Sequence, residues 1–161
     1  MSDKSERRLV RVLSDTDQWM AQRAAASGAS TKNDLPDVTF AHDGIAFAAE
    51  EKSTSGPYIY VQPDEVRALQ RYAATYGMRS VIVGRFKGER AWYIWNPNKM
   101  ERTDAGTYRG SPDDEQWAVK IADPDGTADG VNPAELTSFA LTHTLRSKIA
   151  KPMTEAPGLE S

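Results

Sequence analysis

The chain has 161 residues, 39% of them hydrophobic and 27% charged, which suits one water-soluble domain large enough to bury a core. It has no cysteine, which excludes disulfides and thiolate metal sites and makes a reducing cytoplasm the expected compartment. The formal net charge of -3 argues mildly against a nucleic-acid partner, but the charge is uneven: residues 1–32 carry six basic and four acidic residues, whereas 101–135 carry three basic and nine acidic.

In chain order, the opening MSDKSERRLV lacks the apolar run of a signal peptide, and no stretch approaches the length of a membrane span. Residues 4–14 read as a short helix with Leu9, Val10 and Leu13 on one face, and Glu6 falls on or beside that face. A carboxylate there needs a partner, a metal, or the favourable field of the helix start. Residues 19–25 suit a strand, and 26–36, rich in small and polar residues, suit a loop. Two strands follow at 38–41 and 45–51, joined by the turn His42-Asp43-Gly44, and then a brief extended piece at 58–61.

The next helix is well marked. Pro63 suits its first position, Asp64 and Glu65 its first turn, and Gly77 its end, with Val66, Leu69, Ala73 and Tyr76 as the apolar face. Residues 80–86 form an apolar strand, Lys87-Gly88-Glu89 a turn, and 91–95 a returning strand stopped at Pro97. The segment 98–114 is polar and turn-rich, and 116–121 suits an edge strand. Asn132-Pro133-Ala134-Glu135 resembles a helix start, predicting a helix to about residue 149. Helices interspersed with strands in this order predict an α/β or α+β fold with a mixed sheet.

One constellation suggests chemistry. Asp37 opens the second strand, and Glu50 and Lys52 lie thirteen and fifteen residues on, near the end of the third. Residues 50 and 52 share one strand face, with Glu51 projecting to the other, and the hairpin is long enough to bring Asp37 beside them. Two carboxylates so placed suit Mg²⁺ or Mn²⁺, and an adjacent lysine can offset charge developing on a phosphate. Glu-x-Lys on one strand face is also an ordinary surface salt pair worth little, so the spacing alone leaves both readings open.

These pieces resemble the PD-(D/E)xK nuclease superfamily and, more closely, the archaeal-type Holliday junction resolvases. The resemblance rests on Glu6-Arg7-Arg8-Leu9-Val10, Ala24-Ala25-Ala26-Ser27-Gly28, Leu35-Pro36-Asp37-Val38 and Ala48-Ala49-Glu50-Glu51-Lys52-Ser53. The helix ending in Tyr76-Gly77 and the paired strands around Val81 and Trp92 extend it over residues 4–96. It implies an α/β, restriction-endonuclease-like fold with a central mixed sheet flanked by helices, as a single nuclease domain over 1–150 followed by a disordered tail, 151–161. It also implies a homodimer that binds four-way DNA junctions by shape and makes paired nicks with Mg²⁺, Mn²⁺ substituting.

Carried across by motif, Glu6, Asp37 and Glu50 match the acids at the metal, Lys52 the catalytic lysine, and Ser27 a serine in a mobile loop that assists catalysis. Arg7, Arg11, Arg23 and Lys32 are candidates for the phosphate path, with a solvated surface as the plainer account. Three departures stand out: Arg8 occupies the place of a second helix glutamate, Glu51 a place that is usually apolar, and the region after 97 is longer and more acidic than the family pattern. A related nuclease acting on duplex or flapped DNA, or a DNA-binding domain with a degenerate site, would share most of these features.

Other chemistries find less support. His42 and His143 have no second ligand at metal spacing, Ser27 has no histidine partner, and no phosphate-binding Gly-x-x-x-x-Gly-Lys-Ser/Thr loop occurs. Trp92, Tyr93 and Trp95 read as core, with Ala91, Tyr93 and Trp95 on one side, or alternatively as part of a dimer surface.

Overall fold

The computed structural model describes residues 2–16, 19–24, 35–113, 117 and 119–123. The expected late helix, the tail, Ser27 and Lys32 lie outside them. The order is α1 (Ser2–Ser14), β1 (Met20–Arg23), β2 (Val38–His42), β3 (Ile45–Thr54), β4 (Ile59–Val61), α2 (Pro63–Tyr76), β5 (Arg79–Phe86) and β6 (Ala91–Trp95). A 3-10 turn, Pro97–Lys99, then leads to β7 (Glu101–Arg102), β8 (Tyr108–Gly110) and β9 (Val119–Ala122).

The main sheet runs β1-β2-β3-β5-β6-β9. Its centre is the parallel pair β3 and β5, in register Phe47↔Arg79 to Thr54↔Phe86, and every other pairing in it is antiparallel. A parallel pair needs a long crossover, and β4 with α2 supplies it. The hairpin between β2 and β3 turns at Asp43 and Gly44, both with positive φ (50° and 81°), the backbone that a tight two-residue hairpin demands.

Alternation along the central strands builds two cores. On one face Phe47, Ala49, Val81, Val83, Trp92 and Ile94 bury Leu9, Val12 and Leu13 of α1. On the other, Ala48, Ile82, Tyr93 and Trp95 bury Val66, Leu69 and Ala73 of α2 together with Ile59, Val61 and Met100. The central strands, covered on both sides, are therefore nearly continuous apolar runs. The architecture is the expected one: a mixed central sheet flanked by helices, consistent with the restriction-endonuclease-like α/β fold.

Two details differ from the sequence reading, and a third decides between its two accounts of the aromatic residues. The polar segment 98–114 contains β7 and β8, which join β4 in a second, three-stranded sheet. Strands of two and three residues carry no readable period, and their pairing with β4 is a long-range event. This small sheet packs on Trp95: a Cβ on Gly84 of β5 or on Gly110 of β8 would come within 2.7 Å of the indole, so both positions need glycine to admit the ring. Tyr76 is 65% exposed, its ring tilted against that of Tyr72 with centroids 4.7 Å apart, while Ala74 is buried. Trp92, Tyr93 and Trp95 are each at most 3% exposed, which makes them core and removes them from any surface.

Candidate active site

The β2–β3 register Val38↔Ala49 places Asp37, one step further out, opposite Glu50. Backbone bonds fix it there: Asp37 N–H donates to the Ala49 carbonyl at 2.9 Å, and Ala24 N–H donates to the Asp37 carbonyl at 3.0 Å. The side chain is held as well, because Glu51 N–H donates to Asp37 Oδ2 at 2.8 Å. Asp37 and Glu50 line a cleft with Leu35, Pro36, Glu65, Ala68 and Leu69, so its floor is the β2–β3 hairpin and its wall the first turns of α2.

The electrostatics are those of carboxylates crowded away from water. Burial, then the charge of Asp37, pushes the Glu50 carboxyl up to about 8. Burial also raises Asp37, against the Glu51 N–H and the Lys52 charge, which favour its ionised form. Lys52 Nζ lies 3.7 Å from Glu50 Oε2 and donates to Glu65 Oε2 at 2.7 Å. Burial works against the Lys52 charge, but the Glu65 carboxylate outweighs it and holds the ammonium above its ordinary range.

The sequence thus assembles Asp37, Glu50 and Lys52 on one side of the sheet, as the spacing predicts, and the tertiary structure adds Glu65. In the sequence Glu65 reads only as a helix-start acid. Its position across the cleft from Lys52 comes from the packing of α2 on β3, which no local signal announces.

Glu6 lies to the side of the cleft. It is buried on α1, and its Oε1 accepts from Arg23 Nε at 3.3 Å. Its charge still reaches both Glu50 and Glu51, raising each. Arg23 is therefore paired with Glu6, whereas Arg7 and Arg11 are exposed on α1.

Glu51 faces α1, opposite to Glu50 and Lys52, and is only 2% exposed. Its Oε2 accepts from Ser5 Oγ, and Ser5 Oγ in turn accepts from Trp92 Nε1 at 3.0 Å. Burial drives the Glu51 carboxyl up to about 7, the Ser5 hydroxyl opposing. Beyond it, Arg8 and Arg85 converge on the buried carboxylate of Asp123, Arg85 Nη2 at 3.0 Å and Arg8 Nε at 3.0 Å, and Arg85 also stacks over Trp92. Two of the departures from the family pattern, Arg8 and Glu51, thus each have a built partner in this chain.

Two oxygen donors facing one cleft suit a hard divalent cation in chemistry, and a cation would relieve the repulsion that raises Glu50. Among the described residues no three acidic or histidine side chains meet closely enough to hold an ion by themselves. Mg²⁺ commonly keeps several waters and takes only one or two carboxylates, so Asp37 and Glu50 fit that pattern.

Residues 2–124 match the family model described as archaeal Holliday junction resolvase (Hjc). A crossover junction endodeoxyribonuclease Hjc of Sulfolobus acidocaldarius is 29% identical over 104 residues, covering 64% of this chain and 71% of the relative. The solved Hjc structure from Archaeoglobus fulgidus superposes with a TM-score of 0.60 at 23% identity, covering 68% of this chain and 88% of that one, which speaks to the fold. Among the described residues no helix is long and apolar enough to cross a membrane. The chain belongs to the archaeal Holliday junction resolvase (Hjc) family, within the PD-(D/E)xK nuclease superfamily.

Proposed function

We propose that this protein is a divalent-metal-dependent endonuclease that cuts four-way DNA junctions with paired nicks, acting as a homodimer with one site per protomer. The observation that carries the reading is the meeting of the Asp37 and Glu50 carboxylates in one cleft with the Lys52 ammonium 3.7 Å from Glu50, in a chain of this family.

Asp37 and Glu50 would hold the ion, Mg²⁺ or Mn²⁺, with Glu6 alongside. When bound, the ion polarises the scissile phosphate and lowers the pKa of an attacking water. The chain's residues supply the rest. The Glu51 N–H keeps Asp37 turned into the cleft. Lys52 brings a compact positive charge to the phosphate as negative charge develops there. Arg23 offsets Glu6, and Ser27 is assigned an assisting role on the resemblance alone. Arg7, Arg11, Arg23 and Lys32 are proposed to track the backbone of a junction arm, a contact that reads shape and not base sequence. Two nicks of opposite polarity need two sites related by symmetry, which a homodimer provides.

The test is cleavage of an immobile four-way junction and a matched linear duplex, with Mg²⁺ or with chelator, by wild type and Asp37→Ala. Junction cutting in Mg²⁺ alone, reduced to background in Asp37→Ala with junction binding retained, is expected. Equal cutting of both substrates would replace junction selectivity by a general duplex nuclease, and an Asp37→Ala protein that cuts at the wild-type rate would overturn the site.

A further inference from the structure

Glu65 divides its two oxygens between two tasks. Oε1 accepts from Gln62 N–H at 2.9 Å, closing the first turn of α2, and Oε2 accepts from Lys52 Nζ at 2.7 Å. The carboxylate is therefore fixed to a rigid element at one oxygen and presents the other to the lysine. Lys52 itself sits on a flexible four-carbon stem that reaches any nearby acid. The closest alternative is Glu50 Oε2, already 3.7 Å away and facing the same cleft.

We propose that Glu65 is a positioning residue: anchored at the start of α2, it holds the Lys52 ammonium at the mouth of the cleft and keeps it from collapsing onto Glu50. Without Glu65 the lysine would swing between Glu50 and solvent, competing at times for the oxygens that a cation needs and losing its fixed direction toward substrate. A charge-assisted bond to a carboxylate anchored at its other oxygen restricts the ammonium more than a solvated surface pair does. The assignment rests on the nuclease reading for its functional consequence, while the geometry it asserts can be tested without catalysis.

The experiment compares wild type, Glu65→Ala, Glu65→Gln, Lys52→Ala and the double variant Glu65→Ala/Lys52→Ala. Glu65→Gln keeps an acceptor at full length for the Gln62 N–H but turns an uncharged amide to Lys52, so it separates positioning from helix capping. In metal-free protein, the side-chain ammonium NMR signal that disappears in Lys52→Ala is expected to be visible in wild type and lost in both Glu65 variants. With Mg²⁺, both Glu65 variants are expected to cut the junction about 10- to 100-fold more slowly in a single turnover, with the dissociation constant within about twofold of wild type. The double variant is expected to cut no more slowly than Lys52→Ala, because Glu65 acts through the lysine.

An ammonium signal that survives in Glu65→Gln and Glu65→Ala would overturn the proposal, as would a double variant slower than Lys52→Ala by the full Glu65 factor. If wild type cuts no junction, the nuclease reading fails and the metal-free NMR arm decides the positioning role by itself.

Discussion

Glu50 is the most constrained residue of the site. Burial and the neighbouring Asp37 raise its carboxyl to about 8, far above the value an unfolded glutamate has. The folded state thus favours the protonated form. That contribution is fully present below the unfolded value near 4.5 and is lost as pH rises toward 8. Glu51, raised to about 7, acts in the same sense over a slightly lower range. Chelated protein is therefore expected to melt at progressively lower temperature from pH 5 to pH 8. Mg²⁺ should raise the melting temperature most at the alkaline end, where both cleft carboxylates are ionised. Glu50→Gln removes the charge that the fold resists, and should stabilise the chelated protein at pH 8 by about 2 kcal/mol while abolishing cutting. Thermal melts at two pH values, with and without Mg²⁺, check all of this.

Among the elements, α1 and β3 are joined by more than apolar contact. Leu9 and Leu13 are fully buried against the sheet, but one turn earlier Ser5 bonds Glu51 on β3 and Trp92 on β6 at once. Glu6 follows Ser5 directly, so this bond fixes the turn that carries Glu6 relative to Asp37 and Glu50. Ser5→Ala would leave a nearly inaccessible carboxylate and an indole N–H without their shared partner. The expected cost is about 2 kcal/mol, read from the urea midpoint. A Glu51→Leu variant should tolerate Ser5→Ala better, since no buried carboxylate is then stranded.

At the scale of the whole molecule, Asp123 connects the last described strand to the first helix. Its side chain is 5% exposed and receives Arg8 of α1 and Arg85 of β5. The bond of Asp123 N–H to the Arg90 carbonyl at 2.9 Å fixes its backbone beside the β5–β6 turn. The counter-charge of Arg8 on the first helix arrives from the acidic late region. Asp123→Ala is expected to destabilise the protein by about 3 kcal/mol, because two half-buried guanidinium groups lose their carboxylate. A denaturant titration measures it, and restoration by an Arg8→Met exchange in the same background would identify Arg8 as the stranded charge.

The sequence by itself determined the helix α2, with its proline start and glycine stop, the apolar strands β3, β5 and β6, and the facing of Glu50 and Lys52. These follow from local rules: capping chemistry, strand alternation and a hairpin whose length sets which ends meet. Tertiary structure alone decided that Glu65 reaches Lys52, that Arg8 finds Asp123, that Ser5 meets Glu51, and that β7 and β8 complete a sheet with β4. Each of those contacts joins residues far apart in the chain through the packing of one element on another. Glu65 and Arg8 therefore read as an ordinary helix acid and an ordinary helix base until α2 and α1 are laid on opposite faces of the same sheet.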